Sequence, residues 1–338
     1  MNDDLLTRFK RAGGDPEAGA PVPVLTPPDL SRRPESVPEG SGGGRLAAGV
    51  VAVLAAGIAA LLVVVLQPSG QVDPDSALLE AGTIAAGRSP VEGVVYQRTE
   101  GRSTATMGSP EGGPYSLLYP RIEELWVRED GSGRERVTYL EPVWSSPRDR
   151  RVAERTLTPS RLRKLEQGHL PPDTDRELTA GDLFRERVVG RIGTPIGLLP
   201  GEPDALRFAL GGEEDDPRAK DYAVFTGGAV LLLEPAMDPE LRSAAYEVLA
   251  GVGGVELQPE VEDPEGRPAT AASISFDGEV GETATFYFDP ETSEGLAATE
   301  TVRGLGPGRT SGFEPDTKLL GSTVVEERGV VESIEETP

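Results

Sequence analysis

The stretch VELQPEVEDPEGRPATAASISFDGEVGETATFYFDPETSEGLAATETV, Val255 to Val302, decides the fold class, because its apolar residues recur with a period of two. Ala284, Phe286 and Phe288 alternate with Thr285 and Tyr287, as a strand with one buried face requires. Asp289-Pro290 stops that strand, since proline cannot donate to a sheet ladder, and Gly295 lets the chain turn back. Leu296, Ala298 and Val302 then resume the alternation. Upstream, PEGR divides VELQPEVED from ATAASISFDG in the same manner, and STVVEERGVVESI further on reads as one more strand. Short strands parted by Asp, Gly and Pro turns spell an antiparallel meander. The hairpin's acids have no common focus for a metal: Glu291 and Glu294 belong to the turn, and Glu300 faces away from Thr299.

Working outward, SALLEAGTIAAG reads as a helix with Leu78, Leu79, Ile84 and Ala85 on its inner side, and GVVYQRTEG as the first strand. EELWVRE, the turn DGSG and RERVTYLEPVW predict a hairpin with Trp126 and Trp144 as core aromatics. The middle third is more helical. Thr158-Pro159 opens a short helix that Gly168 closes, and Thr179 with Asp182 forms a variant capping box before LFRERVV. EPDALRFAL ends at Gly211-Gly212. Asp238-Pro239 starts a helix whose stripe is Leu241, Ala245, Val248, Leu249 and Val252. The expected fold is therefore α+β, with helices packed on a curved antiparallel sheet.

Location is written in LAAGVVAVLAAGIAALLVVVL, Leu46 to Leu66, which has no charged or polar side chain. At ~1.5 Å per residue it reaches about 31 Å, the thickness of a bilayer's hydrocarbon core. Arg32, Arg33 and Arg45 precede it, whereas Asp73 and Asp75 come before the next basic residue, Arg88. The positive-inside rule puts the N-terminus in the cytoplasm and the bulk of the chain outside a plasma membrane crossed once. A signal peptide has a shorter n-region and a shorter apolar core. The expected division is residues 1–45 as a cytoplasmic tail, 46–66 as a transmembrane helix, 67–74 as a linker and 75–338 as the extracytoplasmic domain. In the tail, Leu5, Leu6 and Phe9 share one face of a short helix that could dock a cytoplasmic partner, and a Pro, Gly and Ser-rich tether follows.

Composition narrows the chemistry. The net charge of −24 argues against a nucleic-acid surface. With no cysteine and one histidine, His169, thiolate catalysis, disulfides and His-rich metal sites fall away, and no cofactor is expected. GGEEDDPRAKD, Gly211 to Asp221, lacks the ligand spacing of a calcium loop and reads as a solvated loop. No nucleophile elbow, zinc-protease or phosphate-loop motif occurs, so the expected class is non-enzymatic; an envelope hydrolase built on two carboxylates, a site defined in space, is the third reading.

Two surfaces stand out. Residues Pro147 to Lys164 hold seven basic side chains against two acidic ones, among them Arg148, Arg150, Arg151, Arg161, Arg163 and Lys164. They either face anionic lipid headgroups or pair with local carboxylates. Tyr96, Trp126, Tyr139, Phe286 and Phe288 alternate as the lining of one apolar ligand face would, although core packing predicts the same pattern.

LLEAGTIAAG leading to VVYQRTEG, then LPGEPDALRFAL, PELRSAAYEVLAGVGGVEL, DPEGR and FYFDPETSEGLAATETV, resemble in content and order a family of actinobacterial single-pass membrane proteins of unknown function. That family's genes often lie near those for extracytoplasmic-function sigma factors, which implies an envelope sensor or regulatory partner. The expected layout of sheet and helices is also similar to periplasmic lipoprotein carriers, which implies as the alternative a membrane-tethered carrier of a lipid-like ligand.

Overall fold

The computed structural model describes residues 24–25, 74–88, 92–109, 113–167, 170–189, 193–212, 214–277, 281–303 and 317–338. The expected membrane span 46–66, the expected docking residues Leu5, Leu6 and Phe9, and His169 lie outside them. Among the described residues no helix is long and apolar enough to cross a membrane.

The chain runs β1 (Val24–Leu25), α1 (Pro74–Ala86), β2 (Val94–Ser109), β3 (Gly113–Arg128), β4 (Gly133–Tyr139) and β5 (Val143–Trp144). Next come α2 (Pro147–Thr156), α3 (Pro159–Gln167), β6 (Thr174–Leu178), α4 (Asp182–Glu186), β7 (Val188–Val189) and β8 (Thr194–Pro195). Helices α5 (Pro203–Gly211), α6 (Pro217–Leu232) and α7 (Pro239–Ala250) follow. Strands β9 (Glu256–Glu262), β10 (Pro268–Asp277), β11 (Gly281–Phe288), β12 (Gly295–Arg303) and β13 (Thr317–Val331) complete the chain.

The expected meander forms from β9 to β13, each strand antiparallel to the next. β13 then pairs with β2, so the large curved sheet has the order β6-β4-β3-β2-β13-β12-β11-β10-β9, with β1 added on β2 and β5 on β3. A sheet with one apolar face needs a second layer. Helices α1, α5, α6 and α7 supply it, joining Ala272, Ile274, Ala284, Phe286, Phe288 and Val325 of the sheet in the main core.

The caps of α5 and α7 form as expected, whereas the box before α4 forms in part, because Gly181 is the residue that caps it and makes no side-chain bond. The Asp238 side chain accepts from Glu240 N to start α7, and the Asp182 carboxylate reaches back to Thr179 N at 2.6 Å. Gly212 closes α5. At the tip between β11 and β12, Asp289 Oδ1 accepts from the backbone N–H groups of Glu291 and Thr292, and Ser293 takes φ 56°. Tyr246 of α7 donates to the Ser293 carbonyl at 2.9 Å, which ties the tip to the helical layer.

Three expectations need correction. Leu79 of α1 is 46% exposed; Leu78, Ala81, Gly82 and Ala85 form the buried side, because α7 covers only the stripe at three- and four-residue spacing. The loop read over Gly211–Asp221 ends at Asp216, whose side chain caps α6 as Pro217 begins it. Trp144 is only half-buried; it lies 6.2 Å from the Tyr115 ring in a satellite cluster under α2 and α3.

Candidate functional site

The five residues expected to line one ligand face do not share one. Phe286 pairs across the sheet with Ala298, then Thr323, then Gly101, an odd position of β2. Tyr96 is an even position of the same strand, so its side chain projects from the opposite face. Phe286 and Phe288 are fully buried and pack with Tyr246, at ring separations of 6.2 and 5.6 Å. That region is solid core. Tyr96 and Trp126, 5.1 Å apart, belong to another cluster, covered by Ile334 near the C-terminus. Tyr139 is half-buried on β4, apart from both. Period-two spacing marks buried positions but cannot say which of two covered faces each one joins.

The basic run falls on α2 and α3 and the turn between them. Arg150 pairs with Glu154 at 3.0 Å and lies 3.7 Å from Glu166, while Arg148 is half-buried. Arg151, Arg161, Arg163 and Lys164 are exposed. Local pairing thus accounts for Arg150, and the other four lie on the solvated side of the helix pair.

A cavity opens elsewhere, between α6, the β7–β8 hairpin and the face of β10 and β11. Its volume is about 670 Å³, inside the range of ordinary small-molecule pockets. Val188, Ala223, Val230 and Phe276 provide apolar wall, Tyr222 adds its ring, and Glu214 and Glu282 stand at the edge. The Tyr222 ring leans on Phe276 at 5.9 Å, which fixes its direction. Its hydroxyl is buried and has no hydrogen-bond partner among the described residues. It lies against the Glu300 carboxyl, which acts on it, and not on the cavity surface.

Electrostatics sharpen this picture. Burial raises the Glu282 carboxyl above the usual carboxylate range. Burial raises Glu300 as well, with the Glu282 charge adding to it. The Tyr222 phenol is pushed far up, first by burial and then by Glu300 and Glu282, and stays protonated. An apolar pocket edged by acids repels an anionic headgroup and accepts an uncharged or amine-bearing one. Sequence reasoning missed Tyr222 and Glu282 and read Glu300 only as a residue of the return strand. Tyr222 lies on a helix it did not read, and Glu282 and Glu300 come from different strands.

Neither a protein-family model nor a curated protein matches the sequence. Among solved structures, one described as lipid–protein interactions in lipovitellin is similar at 10% identity and a TM-score of 0.22. The match covers 72% of this chain, which spans 26% of that one; a likeness so distant carries no argument about function.

Proposed function

We propose that this chain is a membrane-tethered envelope protein whose exported α+β domain binds an uncharged or amine-bearing hydrophobic molecule and does not transform it. The carrying observation is the cavity of about 670 Å³, with apolar walls from Val188, Ala223, Val230 and Phe276 and the Glu282 carboxyl at its edge. The tether is supported by the twenty-one apolar residues of Leu46–Leu66 and by the arginines that precede them. A sensor that acts through protein contacts alone gives no use to such a cavity. Binding by the domain is compatible with a regulatory role in which the ligand is the signal.

The test uses the full chain in detergent and two dyes of similar size. N-Phenyl-1-naphthylamine is uncharged, and 8-anilino-1-naphthalenesulfonate is an anion. Val230 is 39% exposed and lines the cavity, so Val230→Trp fills it from the solvent side. The difference between wild type and this variant isolates the cavity from the micelle. The proposal expects a saturable difference with the uncharged dye and little with the anion. Equal titrations of wild type and variant with the uncharged dye would refute it.

A further inference from the structure

A second, smaller cavity lies at the C-terminal end of α6, where side chains from three elements converge. Arg242 of α7 donates to the carbonyls of Leu232 at 3.5 Å and Glu234 at 3.1 Å. Arg328 of β13 donates to the Leu233 carbonyl at 2.8 Å and to Gln97 Oε1 at 2.7 Å. Gln97 of β2 donates to the same Leu233 carbonyl at 3.1 Å. These bonds satisfy carbonyls left over at the helix end and set cations against the negative end of its dipole.

They do not balance the charge. Arg242 is only 6% exposed, and its acceptors among the described residues are backbone carbonyls. Arg88, just beyond α1, donates to Glu294 Oε1 at 2.7 Å, and Arg328 Nη1 lies 4.0 Å from the other oxygen of that carboxylate. Glu234 pairs with Arg187 at 3.0 Å, where Glu123 and Glu135 also converge; its charge acts on Arg242 and Arg328 as well, but it does not line the cavity. Three guanidiniums and one carboxylate therefore face a cavity of about 160 Å³, with Ala85, Val95 and Met237 in its walls. Burial, reinforced by Arg242, pushes the Arg328 pKa down to about 10, and burial lowers that of Arg242. Burial works against the Glu294 charge, yet the Arg88 hydrogen bond and the charges of Arg328, Arg88 and Arg242 hold that carboxyl below its usual value. Three arginines against one carboxylate leave the cavity lining with a positive excess in a chain whose net charge is −24.

We infer that this cavity is a binding site for a tetrahedral oxyanion, inorganic phosphate or a phosphomonoester, held by Arg88, Arg242 and Arg328. A guanidinium offers a planar fork of donors that matches phosphate oxygens in pairs, and a buried cation without a carboxylate partner gains most from such a ligand. A volume of about 160 Å³ admits a phosphate group. Glu294 is the built-in competitor, an anion already resting on two of the three arginines. This site does not depend on the apolar cavity.

Calorimetric titration of the full chain in detergent tests it, with inorganic phosphate and glycerol 3-phosphate each run at an ionic strength held constant with chloride. The account expects a saturable, single-site heat with at least one of the two anions. Phosphate alone would identify the free ion; glycerol 3-phosphate would show that an esterified headgroup also enters. Arg88→Gln, a change at a side chain 37% exposed and beyond a helix end, weakens binding about tenfold through one lost charge-assisted bond. Glu294→Gln removes the competitor and tightens it. Unchanged melting curves for the two variants establish that both fold. Absence of saturable heat with both anions, or affinities that neither substitution changes, overturns the inference.

Discussion

Glu294 illustrates what a residue acquires from the fold. Its neighbours in sequence place it in a hairpin turn, and locally that is correct, since its carbonyl accepts from Asp289 N at 2.9 Å. Its carboxylate, however, meets Arg88 and Arg328, which arrive from α1's end and from β13. No spacing rule links those positions. Phe286 and Phe288 were legible as buried because alternation is a local property; their partner Tyr246 was not, because the pairing is tertiary. Glu300 gives a test at this scale. Its folded pKa is raised, so its favourable contribution to stability is complete below the unfolded value of about 4.3 and is lost as pH rises through the folded value. Glu300→Gln mimics the protonated acid. Its Tm should exceed that of wild type at pH 8 and match it near pH 4; an advantage that persists unchanged at pH 4 would assign the effect to something other than this charge.

Among the elements, those whose apolar residues keep a clear period in sequence were readable and those without one were not. β9 to β12 and α7 carry clear periods and explicit caps. α6 holds Val224, Phe225, Ala229, Leu231 and Leu232 buried on several sides, because it is enclosed by α5, α7 and the sheet, so no stripe betrays it. Its Gly227-Gly228 pair further obscures the helix, although Gly228 is what permits the α6–α7 approach: a Cβ there would lie 2.8 Å from Leu249. Gly295 plays the same part where β12 meets α6, since a Cβ would come within 2.6 Å of the Leu232 carbonyl oxygen. Gly295→Ala must push the end of α6 off the sheet, at a cost of about 1–3 kcal/mol. Denaturant unfolding measures it, and a change below about 0.5 kcal/mol would show that the contact yields without strain.

On the scale of the whole molecule, β13 joins the meander to the strands that begin the sheet, so the last described strand holds both halves together. The residues after it form a lid: Trp126 Nε1 donates to the Glu336 carbonyl at 2.6 Å, and Ile334 packs on Tyr96 and Trp126. Deleting 333–338 uncovers that ring, and the account expects a red shift of the tryptophan emission with a lower Tm. An unshifted spectrum would mean that the ring stays covered without the lid. The meander and helices α1, α5 and α7 follow from alternation, caps and turns; α6 and both cavities depend on which faces the layers cover, which the order of residues does not state. Photolabelling the full chain in detergent with an uncharged alkyl diazirine, then mapping adducts over residues 74–338, tests the apolar cavity most directly. The account predicts adducts concentrated on Ala219 to Val230 and on Phe276, lost in Val230→Trp; adducts centred instead on Tyr96 and Trp126, or unaffected by that substitution, would contradict it.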